Sequence, residues 1–89
     1  MGPYKLAVKP SVEKDLRGLP KTVVGGVVKR IEDLPTEPFP PGCVRLEAAE
    51  RLFRIRIGDY RVVYEVDGKA RLITVHYVRH RRDVYRHIR

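Results

Sequence analysis

Arginine is concentrated in the segment LFRIRIGDYRVVYEV, where its spacing points to chemistry with anions. Arg54 and Arg56 alternate with apolar residues, and Arg61 follows a Gly58-Asp59 pair that favours a two-residue β-hairpin turn. Such a turn places Arg56 directly across from Arg61, and like charges in that position destabilise a sheet. Because a guanidinium fork matches phosphate oxygens, the pattern favours an anion-binding surface over a merely solvated one.

The C-terminal stretch RHRRDVYRHIR, residues 79–89, adds a second basic cluster with five arginines against one aspartate. Tyr85 lies among Arg81, Arg82 and Arg86, and neighbouring cations favour the ionised form of a tyrosine. On these residues alone, Tyr85 is equally well explained as a packed aromatic, and the stretch as a solvated basic tail.

Several other kinds of site are disfavoured by the residues present. His76, His80 and His87 are the only histidines, and no Cys/His pair or carboxylate cluster near them matches a metal site. Ser11 is the only serine and falls at a predicted helix start, which argues against a serine hydrolase. A metal-free phosphate site remains. RNA supplies its own 2′-OH nucleophile there, so the protein must provide cations and proton transfer.

Length and charge limit the class of protein. The 89 residues suffice for one domain, 1–89, and 43% apolar content allows a packed core. Nineteen Lys and Arg against eleven Asp and Glu give a net charge of +8, which favours nucleic acid or an acidic protein as partner. A single cysteine, no apolar run of about 20 residues and no signal-peptide core predict a cytoplasmic protein without membrane contact.

The elements that must position these residues are predicted from hydrophobic periodicity. They are a strand at 4–8, a helix from 10 to about 19, a helix at about 21–34, a short strand near 44–46, and strands at 52–57, 60–66 and 70–78. Gly58-Asp59 and Asp67-Gly68 are read as two-residue turns. The order predicts an α+β fold with a helical hairpin packed on one face of a small twisted antiparallel sheet.

Alternation along these strands divides the side chains between a core face and an open face. The predicted core face carries Phe53, Ile55, Ile57, Tyr60, Val62, Tyr64, Val66, Ile73, Val75 and Tyr77. The predicted open face carries Arg54, Arg56, Arg61, Val63, Glu65, Thr74 and His76. The second turn sets Val66 opposite Lys69 and Arg61 opposite Thr74. Strict alternation sends Arg79 to the core side unless a bulge precedes it.

Gly25 and Gly26 interrupt the second predicted helix, where each lowers helix stability by roughly 1 kcal/mol relative to alanine. No phosphate-loop spacing accompanies them. We interpret the pair as a site of close packing against a neighbouring element.

The tracts RIRIGDYRVVYEV and HRRDVYR, with the helical hairpin and the Pro/Gly connector before VRLE, resemble the RelE/ParE superfamily of type II toxin–antitoxin toxins, especially its RelE-like members. The resemblance covers nearly the whole chain. It implies the RelE-like microbial ribonuclease-type fold with a short basic C-terminal segment. It also implies a toxin that inhibits translation by cleaving mRNA in the ribosomal A site, through 2′-OH attack, without a metal or cofactor.

The resemblance also implies roles for individual residues. Those it marks as catalytic are Arg61, which would stabilise the phosphate, the terminal tyrosine Tyr85, a second arginine Arg79, and Arg81 as the less exact match to that arginine. Those implied in substrate binding are Arg54, Arg56, His76, His80 and Arg82. Some relatives have lysine at positions 54 and 56, but arginine hardly deprotonates, which argues against a base there. The base and the acid stay unassigned between Tyr85 and the histidines.

The resemblance further implies a cognate antitoxin whose acidic or amphipathic segment wraps the toxin and masks its basic surface. The ribosome and mRNA are the other implied partners. Two alternatives stay open: a ParE-like non-nuclease toxin that inhibits DNA gyrase, and a catalytically inactive RNA-binding member. Arg61 and the basic C-terminus with Tyr85 favour the endoribonuclease.

Overall fold

The computed structural model describes residues 3–47 and 51–80 and contains five strands and two helices in that part of the chain. They are β1 (Lys5–Val8), α1 (Pro10–Arg17), α2 (Lys21–Asp33), β2 (Val44–Arg45), β3 (Leu52–Ile57), β4 (Tyr60–Asp67) and β5 (Leu72–His80). The strands form one sheet in the order β1-β5-β4-β3-β2. The predicted α+β class is confirmed. The sheet is mixed, because β1 pairs in parallel with β5 while the other pairs are antiparallel.

The two helices carry the chain from β1 at one edge of the sheet to β2 at the other, and both bury aliphatic side chains against one face. The buried core consists of Val12, Val27, Ile31, Leu34, Ile55, Val62, Tyr64, Val66, Ile73, Val75 and Val78. The Tyr64 hydroxyl donates a 2.7 Å hydrogen bond to the Pro38 carbonyl and ties the proline-rich connector to the sheet. Burial raises the pKa of Tyr64, so this phenol stays a neutral donor. Neither helix described is long and apolar enough to cross a membrane.

The β3–β4 hairpin has the predicted register. Gly58 has a φ of +59°, a conformation that residues with a side chain rarely adopt, whereas the φ of Asp59 is not positive. This combination is that of a type II′ turn. The turn sets Arg56 opposite Arg61 and fixes the two faces of both strands. Local sequence therefore determines this half of the sheet.

The predicted two-residue turn at Asp67-Gly68 is wrong. Asp67 still belongs to β4 and pairs with Leu72, so residues 68–71 form a wider loop. The Asp67 carboxylate accepts hydrogen bonds from the amides of Lys69 and Ala70 at 3.1 and 3.0 Å. An aspartate side chain that bonds its own following backbone stabilises such a loop in place of the tight turn.

The wider loop shifts the pairing of β4 with β5. Val66 pairs with Ile73 instead of Lys69, and the bulge described next adds one more residue of shift, so that Arg61 pairs with Arg79 instead of Thr74. The strand consequently runs to His80, two residues beyond its predicted end.

A β-bulge then changes the alternation within β5. Tyr64 pairs with Val75 and Val63 pairs with Tyr77, which leaves His76 as the extra residue. A bulge places two successive side chains on one side of the strand, so every later residue changes face.

The bulge corrects the predicted faces of three residues. Tyr77, predicted in the core, lies on the open face, and Val78, only 2% exposed, takes its place in the core. Arg79 moves with Tyr77 to the open face, opposite Arg61.

The predicted close packing at Gly25 and Gly26 is also wrong. Both residues are on the exposed side of α2. A methyl group at either position would meet no neighbouring atom of the described chain within 4 Å.

Gly25→Ala and Gly26→Ala are therefore each expected to raise the free energy of unfolding by about 0.5–1 kcal/mol, because alanine loses less backbone freedom in a helix. Urea denaturation followed by circular dichroism measures the change. Gly58→Ala is the control and is expected to destabilise, since its φ of +59° strains a side chain. A loss of stability in both helix variants would contradict an uncontacted helix face.

Candidate functional site

Three adjacent strands bring three arginines into one row across the open face of the sheet. Arg61 in β4 pairs with Arg56 in β3 on one side and with Arg79 in β5 on the other. Directly opposed residues have Cβ atoms about 4.5–5.5 Å apart, so the three arginine side chains leave the sheet at neighbouring positions. We call Arg56, Arg61 and Arg79 the arginine row. Its mutual repulsion favours a bound anion, for which guanidinium forks are suited.

Arg61 is the buried member of the arginine row, with 6% of its surface exposed. Its guanidinium donates a 3.4 Å hydrogen bond to the Tyr60 carbonyl. Within residues 3–47 and 51–80, no carboxylate forms an ion pair with it. A cation in low-dielectric surroundings attracts an anion more strongly than the same cation in water. Arg61 is thus a strong candidate for anion binding among the residues that the structure describes.

Arg54 and Arg56 continue the basic surface along β3. Arg56 is exposed and donates from Nε to the Gly58 carbonyl at 3.2 Å. Arg54 is opposite Val63 and is half-exposed. Both are on the open face, where their predicted role in substrate binding requires them, and that role stays a prediction.

Arg79 is held in place by helix α1. Its guanidinium forms an ion pair with Asp15 and donates to the Val78 carbonyl at 3.2 Å. Asp15 also accepts a 3.1 Å hydrogen bond from the Val78 amide. One carboxylate therefore fixes both the backbone and the side chain at this end of β5.

The same helix covers the part of the β5 edge, beyond residue 75, that pairs with no strand among residues 3–47 and 51–80. β1 pairs only with residues 72–75 of β5, which leaves the following backbone groups on that edge without a strand partner. The Ser11 hydroxyl donates to the His76 carbonyl at 3.5 Å, one helical turn before Asp15 reaches Val78. Side-chain groups of α1 thus replace a sheet ladder along this edge.

His76 lies on the open face beside the arginine row, as predicted. Its Nε2 is 3.0 Å from an oxygen of Glu65, so a carboxylate orients the ring. Within the described residues, no three His, Cys, Asp or Glu side chains come together in a way that could hold a metal ion.

The structure does not bring His80 to the arginine row. His80 pairs with Tyr60, the rings meet edge to face with centroids 5.4 Å apart, and both border a groove against α1 that Arg79 also lines. Its substrate-binding role stays a prediction. Arg81, Arg82 and Tyr85 lie outside the described residues, so their predicted roles stay predictions too.

Tyr77 is a residue of the open face that sequence alternation missed. The Arg79 guanidinium carbon is 5.3 Å from the centre of its ring. Burial raises the pKa of Tyr77 while the Arg79 cation opposes that change, so the phenol is neutral near pH 7. A signal for the bulge does exist in the sequence. Apolar spacing changes from two to three between Ile73, Val75 and Val78.

Sequence comparisons point to one class of protein. A family model described as the ParE toxin of the type II toxin–antitoxin system parDE matches residues 6–85. Toxin RelG of Mycobacterium tuberculosis is 31% identical over 85 residues, which cover 94% of this chain and 98% of RelG. Putative toxin RelE1 of Methanocaldococcus jannaschii is 30% identical over 86 residues, which cover 93% of this chain and 96% of that protein.

The fold agrees with the sequence comparisons. The archaeal RelE in the RelE–RelB complex of Pyrococcus horikoshii superposes with a TM-score of 0.78 at 31% identity, over 88% of this chain and 94% of that chain. Fold and sequence together define a toxin of the type II toxin–antitoxin class. More narrowly, the chain belongs to the RelE/ParE superfamily, which confirms the predicted family.

Proposed function

We propose that this toxin is a metal-independent endoribonuclease that cleaves mRNA in the ribosomal A site. The observation that supports it best is the arginine row, with the buried Arg61 at its centre. Attack of a ribose 2′-OH on the adjacent phosphate builds negative charge on the phosphoryl oxygens. Fixed cations stabilise that charge more in the transition state than in the substrate.

In this mechanism the RNA supplies the nucleophile and the protein supplies position, charge and proton transfer. Arg61 and Arg79 bind the scissile phosphate, while Arg54 and Arg56 guide the RNA backbone. Tyr85, with Arg81 and Arg82 near it in sequence, is the proposed proton-transfer residue. His76, oriented by Glu65, is the alternative on the open face, and His80 is assigned no more than RNA contact.

The same surface suits a cognate antitoxin. The net charge of +8 favours an acidic binding partner. The Pyrococcus horikoshii relative was solved as a complex with RelB. We propose that an acidic or amphipathic antitoxin segment covers the arginine row. The toxin then acts in the cytoplasm, on ribosome-bound mRNA.

In-vitro translation followed by primer extension on the mRNA tests the activity. The native toxin is expected to produce cuts at fixed positions within codons, and Arg61→Ala is expected to remove them. Arg45→Ala is the matched control, because Arg45 is an exposed arginine of β2 paired with Phe53, away from the arginine row. Cuts that persist in Arg61→Ala would contradict the proposed role of the row.

A ParE-like toxin that inhibits DNA gyrase is the second candidate, because the matching family model is described as a ParE toxin. Intact mRNA together with trapped gyrase–DNA cleavage complexes would favour this candidate and refute the endoribonuclease. If neither mRNA cleavage nor gyrase inhibition is observed, the remaining candidate is a catalytically inactive RNA-binding member.

A further inference from the structure

A hollow of about 400 Å³ opens on the open face beside the arginine row. Its walls are formed by Ser11, Leu52, Val63, His76, Tyr77 and Arg79. Leu52, Val63 and Tyr77 give it an apolar lining; Val63 is only 1% exposed, while Leu52 and Tyr77 are half-buried. Leu52 and Tyr77 therefore leave apolar surface on the face opposite the helices, where a bound group can contact it.

Tyr77 gives the hollow a flat aromatic wall that is held in place. Arg79 lies over its ring, and Asp15 holds the Arg79 guanidinium. A rigid ring next to a phosphate-binding cation suits a planar group attached to a phosphate. The rim carries the polar groups of Ser11 and His76, which suit the polar edges of such a group.

The position of the hollow along the strands is equally specific. Val63 and Tyr77 pair with each other, and Arg61 and Arg79 form a pair two residues further along. Two residues of a strand span roughly 7 Å. Tyr77 and the cationic pair are thus close enough to contact the base and the phosphate of one nucleotide.

We propose that this hollow binds a nucleobase of single-stranded RNA, stacked on Tyr77, next to the phosphate held by Arg61 and Arg79. The inference rests on the proposed function and adds a subsite to it. Because the hollow is surrounded by positive charge, a phosphate-bearing occupant is favoured, and an uncharged apolar segment of a protein is not.

Fluorescence anisotropy with a short 2′-O-methyl RNA tests the subsite, because this RNA binds without being cleaved. One series of probes carries a single abasic position, moved along the oligonucleotide. Loss of one stacked base is expected to weaken binding by the native toxin about 5- to 150-fold at a single position of the series. Tyr77→Leu is expected to weaken binding of the intact RNA by a similar factor. The same variant and the native toxin are expected to bind that abasic RNA with equal affinity.

Tyr4→Leu is the matched control, because Tyr4 also has an arginine over its ring, Arg71 at 4.4 Å, but precedes the edge strand β1. Its affinity for RNA is expected to equal that of the native toxin. Tyr77→Phe keeps the ring and is expected to keep the affinity. Tyr77→Trp introduces the only tryptophan of the chain, whose fluorescence intact RNA should quench and the abasic RNA should not.

The outcomes separate the subsite from the proposed function. Equal affinity for intact and abasic RNA, or a Tyr77→Leu variant that binds like Tyr4→Leu, would overturn the base subsite. If Arg61→Ala and Arg79→Ala still lose affinity in that case, the phosphate site stands. If the native toxin binds RNA no better than Arg61→Ala does, both proposals fail. Circular dichroism of each variant verifies that it is folded.

Discussion

Arg61→Leu is expected to slow mRNA cleavage severely and, at the same time, to make the folded toxin more stable. Arg61 is a buried cation with Arg56 and Arg79 directly across from it. Removal of a fixed transition-state charge lowers kcat by on the order of 10²–10³-fold. Relief of like-charge contacts in the sheet, with an aliphatic side chain in their place, is expected to add roughly 1 kcal/mol of stability.

Primer extension and urea denaturation of the same preparations measure both effects. Arg61→Lys keeps the charge but loses the planar fork, so we expect reduced cleavage without the gain in stability. Arg45→Leu removes an exposed arginine and is expected to change neither property appreciably. A leucine variant at position 61 that is less stable than the native toxin would contradict the view that the arginine row opposes folding.

The half of the candidate site that contains Arg56 and Arg61 could be predicted from local sequence. The Gly58-Asp59 turn alone sets the register that opposes Arg56 and Arg61, and the alternation of β3 and β4 contains no irregularity. Short-range rules suffice where a tight turn joins two regular strands.

The other half of the site depends on two irregularities of the backbone. Asp67 accepts hydrogen bonds from two following amides and widens a loop that its sequence marks as a tight turn. His76 is inserted as a bulge and changes the face of every residue after it. Strict alternation therefore put Arg79 on the wrong side, whereas the family resemblance placed it in the site. Because of the bulge, the strand pairing puts Arg79 on the open face, where the family resemblance requires it.

Contacts between distant segments could not be predicted from helix periodicity. In the sequence, Asp15 differs little from the other charged residues of α1, and only docking of the helix against the edge of β5 gives it two partners. The exposed position of Gly25 and Gly26 is likewise a property of how α2 packs, which the helical pattern does not contain.

Asp15→Ala is expected to lower the free energy of unfolding by about 2 kcal/mol, because it leaves the Val78 amide without its acceptor and the Arg79 guanidinium without its ion-pair partner. The side chains of Asp15 and Arg79 are 17% and 27% exposed, so solvent screening keeps the effect below that of a fully buried pair. Urea denaturation measures it. Asp15→Asn retains an acceptor for the Val78 amide and is expected to recover part of the loss.

The same substitutions are expected to separate kcat from KM if Asp15 is a positioning residue for Arg79. Without Asp15, Arg79 keeps its charge and the protein gains one unit of net positive charge, so attraction of RNA is not weakened. The guanidinium is no longer held at one place, however, and misplacement of a catalytic charge lowers kcat by on the order of 10- to 100-fold. KM is expected to stay constant or fall. Asp15→Asn should show the same kcat defect with a smaller stability loss, because it cannot form the ion pair.

Glu13→Ala is the matched control, because it removes one exposed acid from the same helix and the same unit of charge, and Glu13 forms no ion pair with the described residues of β5. It is expected to leave kcat unchanged. A rise in KM at constant kcat in both Asp15 variants would assign Asp15 to RNA binding instead of positioning. A defect in Asp15→Ala that Asp15→Asn fully repairs would trace the effect to the hydrogen bonds that the side-chain oxygen accepts, and not to its negative charge.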